Sequence, residues 1–246
     1  MGKKSEDNNG SFFKEFIADA FDIDHGLMKT FLMLFRDPRG VMDAYRDDEI
    51  ENYYSPFKYV VITTTLLTFV FFLAFDFSDI LKQNMGAAVT SMQETGTQSE
   101  MAREIVLNAT LVFQKLSRQF ATVSMLFLLM PSLALFSFMF FRKKMGRYSE
   151  HFALSAYLVG QINCIQLLLC LPLFILQSLG WNVASYLIVF DLSGLAYMTY
   201  GILRVFEVRN FKGVLSSLFS PLFGYLTYMI VLLIITIVSA FVMYSI

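Results

Sequence analysis

A chain of 246 residues and 28.2 kDa would suit one or two soluble domains, but 56% of its residues are hydrophobic, only 16% are charged and the mean hydropathy is +0.57. In water, 19 Lys and Arg with 20 Asp and Glu cannot cover 27 Phe, 12 Tyr and 14 Met without leaving large apolar patches, so an ordinary soluble domain is excluded. A formal net charge of −1 also excludes the basic footprint of a nucleic-acid binder.

In chain order, residues 1–10 are small and polar and are expected to form a disordered tail. No basic stretch leads into a short apolar core and cleavage site, so no removed signal peptide is expected. Met1-Gly2-Lys3-Lys4-Ser5-Glu6 departs from a myristoylation signal at Glu6. Residues 11–56 read as a cytoplasmic amphipathic helical region. Phe12, Phe13, Phe16, Ile17, Phe21, Leu27, Phe31, Leu34 and Phe35 recur mostly every three to four positions, interrupted near Asp24-His25-Gly26. That stripe is too charged to span and belongs in the membrane interface or against the bundle. Asp37-Pro38 predicts a capped short helix reaching about Asp47, and Ser55-Pro56 repeats the signal at the start of a span.

Five runs are long enough to cross an apolar core of about 30 Å, which takes about 20 helical residues. They cover approximately 57–75, 121–141, 152–176, 183–203 and 222–246, within a membrane domain 57–246 that also holds an outside loop, 76–120. The third and fourth form a hairpin about Gly180-Trp181-Asn182, and Pro131, Pro172 and Pro221 mark kinks or ends. Fifteen of the lysines and arginines fall on the side of the N-terminus and four on the other. The positive-inside rule then puts the N-terminus in the cytoplasm and the C-terminus outside, in the inner (plasma) membrane.

Asp191 is the sharpest candidate, since a carboxylate within a span costs about 2.5 to 3.5 kcal/mol on insertion scales. Gln161, Asn163 and Gln166 of the third span are its expected intramembrane partners. The carboxyl is either a protonatable site inside the bundle or a neutral hydrogen-bonded link between two helices. Ala156 and Gly160 are spaced to let a neighbouring helix approach closely. Glu150 and His151 read as an interfacial polar cap, diverging by 100° and so unable to form a metal face. Arg142, Lys143, Lys144 and Arg147 suit anionic lipid headgroups, and equally a topology-fixing stop signal.

Asp47, Asp48, Glu49 and Glu51 lack the spacing and glycine of a calcium loop and read as a solvated connector. Cys164 and Cys170 are packing residues about 120° apart on one helix, so they should neither bridge nor bind zinc. The sequence carries no nucleophile-elbow, Walker, dinucleotide or zincin pattern, and no metal or cofactor is expected.

Phe16-Ile17, Asp24-His25-Gly26, Lys29-Thr30, Pro38, Gly40, Tyr45, Tyr53 and Ser55-Pro56-Phe57-Lys58 together resemble an uncharacterised bacterial membrane family, common in Bacteroidota, of unknown function. Tyr148-Ser149-Glu150-His151-Phe152 is similar to that family's Glu-His motif, and Tyr197, Tyr200 and Gly201 to the aromatic end of its fourth span. Many members carry a zinc ribbon, but residues 1–56 contain no cysteine, so the resemblance implies no zinc here. Arg46-Asp47-Asp48 stands where the family has Gly-Lys-Arg. The five-span layout is also similar to the Yip-type proteins of vesicle traffic, a likeness of layout that implies no activity.

The expectation is an all-α integral membrane protein with five transmembrane helices, a Yip-like layout and amphipathic interfacial helices at its N-terminus. Its expected function is that of a non-enzymatic scaffold or accessory subunit binding membrane lipids, other membrane-protein subunits or itself. The alternatives are a small transporter or channel using Asp191, and a lipid-modifying enzyme using Glu150 and His151.

Overall fold

The structure, a computed structural model, describes residues 26–74, 121–179 and 184–245, and among them every regular element is a helix. The tail 1–10, most of the first amphipathic stripe, the outside loop 76–120 and the Trp181 turn lie outside the described residues. Among the described residues helix α1 covers 26–36, and the interruption expected near Asp24-His25 lies outside them.

Helix α2 is Pro38–Arg46, and Asp37 caps it as expected, its Oδ1 accepting the Gly40 N–H at 3.1 Å. The helix closes with Asp48 in the left-handed region at φ 62° while the Glu49 N–H reaches back to the Ala44 carbonyl at 2.9 Å. This is a Schellman closure. A short 3-10 turn, Ile50–Asn52, leads to α3, Pro56–Ala74, whose 19 residues span about 28 Å.

Helix α4 is composite. Ala121–Ser124, a π-helical turn Met125–Leu129 and Met130–Phe141 run on as one rod. The Met130 N–H bonds to the Met125 carbonyl, so the wider turn takes up the strain just before Pro131, which has no N–H to give. Helix α5 is Tyr148–Ser178, α6 is Ala184–Val205 and α7 is Phe211–Ser245.

Two helices begin before the spans expected within them. The third helix begins at Tyr148 rather than 152, and the fifth begins at Phe211, with Pro221 inside it rather than at its start. Apolar surroundings let such a helix pass through proline, because neighbouring groups take up the freed carbonyl. Among the described residues, three helices are long and apolar enough to cross a membrane: Tyr148–Leu176, Ile188–Val205 and Phe211–Ser239. Two further apolar stretches, Pro56–Val70 and Met125–Phe141, are shorter.

Helix α5 is the axis of the bundle, with His151 and residues 153–163 buried without a break. It packs against α3, α4 and α6, while α7 lies outside against α4 and α6. Gly160 permits the α3–α5 approach, since a Cβ there would meet Tyr59 Cδ1 at 2.5 Å. Gly224 does the same for α7, where a Cβ would lie 2.9 Å from the Leu133 Cα.

The main core joins Leu34 of α1 and Val41 and Met42 of α2 to Phe141, Leu154, Tyr157, Leu158, Ile202 and Phe206. Burying each of those three N-terminal side chains contributes about 2 kcal/mol, so the described part of the N-terminal region is held by the bundle. The opposite side of α1 is also apolar, with Met28, Leu32 and Phe35 exposed one turn after another.

Candidate functional site

Gln161 and Asn163, midway along α5, face α3 and α1. Tyr59 donates its phenol proton to Gln161 Oε1 at 2.6 Å, leaving the Cys164 thiol, 3.4 Å away, to donate to the phenol oxygen. Gln161 Nε2 donates to the Phe31 carbonyl at 3.1 Å. Asn163 Nδ2 donates to Thr64 Oγ1 at 2.7 Å and lies 3.5 Å from Thr63 Oγ1. Cys164 and Cys170 are free thiols.

Asp191 does not join this seam. It is exposed on α6, with Tyr225 of α7 within electrostatic reach, whereas Gln161 and Asn163 are buried and engaged elsewhere. The expected partnership of Asp191 with Gln161 and Asn163 inside the bundle is therefore corrected. Gln166, half-buried, lies one turn beyond Asn163 on α5. The reason is rotational: α5 turns its amide groups toward hydroxyls on α3, and α6 turns its tyrosines toward α1.

Those tyrosines make the most specific contact in the fold. Tyr197 donates to the Leu34 carbonyl at 2.9 Å and Tyr200 to the Phe35 carbonyl at 2.7 Å. The Met33 carbonyl takes the Asp37 N–H at 2.6 Å. The last carbonyls of a helix have no partner within it, and here the bundle supplies them. Tyr157 similarly donates to the Tyr54 carbonyl at 2.8 Å, and the Tyr54 N–H reaches Thr30 Oγ1 at 2.9 Å. Sequence reasoning missed Thr30 and Tyr157 in this role. The only available signal was a surplus of tyrosines at one end of otherwise apolar helices.

Glu150 and His151 part company, which corrects their reading as one interfacial cap. His151 is fully buried inside α5, stacked against Phe206 and edge-on to Phe138. The neutral ring satisfies both nitrogens, Nε2 donating to the Met145 carbonyl at 2.9 Å and Nδ1 accepting from Ser137 Oγ at 2.8 Å. Glu150 instead lies 3.6 Å from Arg46 Nε, tying α5 to α2. The divergence of 100° between adjacent helical residues produces this split.

Of the loop cations, Lys144 donates to the Phe206 carbonyl and so has a structural partner. Arg142, Lys143 and Arg147 are exposed, and no ion pair involves them among the described residues. Arg39 bridges Asp43 of its own helix and Glu207, the left-handed residue at φ 45° that closes α6. The hydrogen bond that Arg39 donates to Asp43 and the charge of Glu207 raise the Arg39 pKa above its ordinary value. Among the described residues, no three His, Cys, Asp or Glu side chains come together to hold a metal ion.

The arrangement thus offers a hydrogen-bonded junction, built from α1, α2 and the adjoining ends of α3, α5 and α6, beside a loop whose Arg142, Lys143 and Arg147 are exposed. Comparison with protein-family models, with curated proteins and with solved structures finds no match to this chain.

Proposed function

We propose that the chain is a five-span inner-membrane protein that works without catalysis, as a scaffold or accessory subunit binding lipids or membrane-protein partners. The N-terminus and the 142–147 loop lie in the cytoplasm and the C-terminus lies outside. The observation that carries this reading is how the polar groups are used. Tyr157, Gln161, Tyr197 and Tyr200 hold the N-terminal region on the bundle, while Arg142, Lys143 and Arg147 remain exposed. A second support is the outer surface, where Phe69, Leu171, Phe174, Ile188 and Leu233 are exposed, as a lipid-facing surface requires.

Affinity purification in mild detergent, with identification of co-purifying proteins and lipids, tests the reading. Removal of residues 11–48 is expected to abolish association, and Asp191→Asn to preserve it. Proteoliposome flux that Asp191→Asn abolishes with folding intact would replace the scaffold by a transporter. Tags at the two ends should differ in access to an impermeant reagent. Equal access would overturn the topology.

A further inference from the structure

A groove of about 490 Å³ opens on the surface between α2, the first turn of α3 and the first turns of α5. Its lining includes the aromatic rings of Tyr45, Phe57, Tyr148 and Phe152, with the small Ala153 and Ala156 also contributing. Phe57 is 56% exposed and Tyr148 41% exposed, a large aromatic surface to leave without cover. The position along the bundle narrows the choice of occupant. Helix α3 is about as long as the apolar core of a bilayer is thick, so its first turn, which includes Phe57, falls at the headgroup level.

Charge narrows it further. Lys58 follows Phe57, and Arg147 precedes Tyr148. Both are exposed, and neither has an ion-pair partner among the described residues. The carboxylate next to Ser149 in the groove lining is Glu150, and Arg46 engages it. An apolar trough with an exposed cation one residue along the chain from each of two lining aromatics complements a molecule with a hydrocarbon chain and an anionic phosphate. A small soluble anion would leave the aromatic rings uncovered, and an uncharged lipid would leave the cations unanswered.

We propose that this groove seats one anionic phospholipid, its acyl chain along the aromatic walls and its phosphate between Lys58 and Arg147. The proposal rests on the reading of the chain as a membrane protein and adds a lipid class and a place to it.

Native mass spectrometry of the full chain, extracted from carbonate-washed membranes and titrated with phosphatidylglycerol or phosphatidylcholine, tests the site. One phosphatidylglycerol should be retained at least tenfold more tightly than phosphatidylcholine. The double variant Lys58→Gln with Arg147→Gln should weaken phosphatidylglycerol about twenty-five-fold, a factor of about five for each cation, and weaken phosphatidylcholine far less, since its choline already balances its phosphate. Ser149→Trp, an exposed position on the groove lining, should weaken both lipids. Equal retention of the two lipids, or phosphatidylglycerol binding unchanged in either variant, would overturn the seat. A chain that stays in carbonate-washed membranes without preferring the anionic lipid loses only this site. A chain recovered in the soluble fraction loses the membrane reading itself.

Discussion

The phenol of Tyr197 donates to the backbone carbonyl of Leu34 at 2.9 Å, joining residues 163 positions apart. Both residues are buried, so neither group has water as an alternative partner. Removing the hydroxyl strands the carbonyl in apolar surroundings, which costs about 1 to 3 kcal/mol. Tyr197→Phe should lower the thermal midpoint in detergent and expose residues 26–36 to protease. Tyr200→Phe, whose bond to Phe35 is exposed, should do so less. Equal midpoints for wild type and Tyr197→Phe would show that this bond does not hold α1.

Asp48 and Glu207 each close a helix in a left-handed conformation that glycine adopts freely. Asp48→Gly should stabilise the protein by about 1 kcal/mol, because a side chain is disfavoured there. Glu207→Gly should gain less, since it also removes a partner of Arg39. Comparing the two thermal midpoints checks the order. A calcium site in the 47–51 run would instead lose affinity in Asp48→Gly, and calcium titration should show no such effect.

Gly160→Ala places a methyl group 2.5 Å from Tyr59 Cδ1 and 3.3 Å from Thr63 Oγ1. Tyr59 has little freedom to retreat, being buried and bonded to Gln161. The expected cost is about 1 to 3 kcal/mol, typical of overpacking. Gly146→Ala, where a Cβ meets nothing within 4 Å, is the control and should be close to neutral. Equal midpoints for the two variants would contradict the close α3–α5 approach.

Asp191 stands on an exposed face of α6, whereas the Gln161 and Asn163 amides of α5 are engaged with α1 and α3. In a glycosylation-based insertion assay, Asp191→Leu should favour insertion of α6 by about 2.5 to 3.5 kcal/mol. Partner association should survive Asp191→Asn. Loss of association in the asparagine variant, with folding intact, would assign the carboxyl a role that its present surroundings do not supply.

The amino-acid sequence by itself determined the apolar, helical character of the chain and several of its breaks. Asp37-Pro38 capped α2 and Ser55-Pro56 opened α3, because caps and prolines act over one or two turns and need no distant partner. Ala156 and Gly160 were legible as a close-packing pair for the same local reason. Proline was less informative, since Pro172 and Pro221 sit inside continuous helices whose surroundings compensate for them.

Only the tertiary structure decided which neighbour each polar side chain faces. Helices α3, α5 and α7 are apolar on nearly every side, so no polar stripe marks their rotation about their own axes. Helical spacing places Gln161, Asn163 and Asp191 around two axes, but it does not orient those axes toward each other. Packing turned the amides toward α3 and α1, placed His151 beneath Phe206, left Asp191 outside and brought Tyr197 and Tyr200 to the end of α1. Hydrogen bonds between positions more than a hundred residues apart depend on how whole helices stack, and no local pattern encodes that.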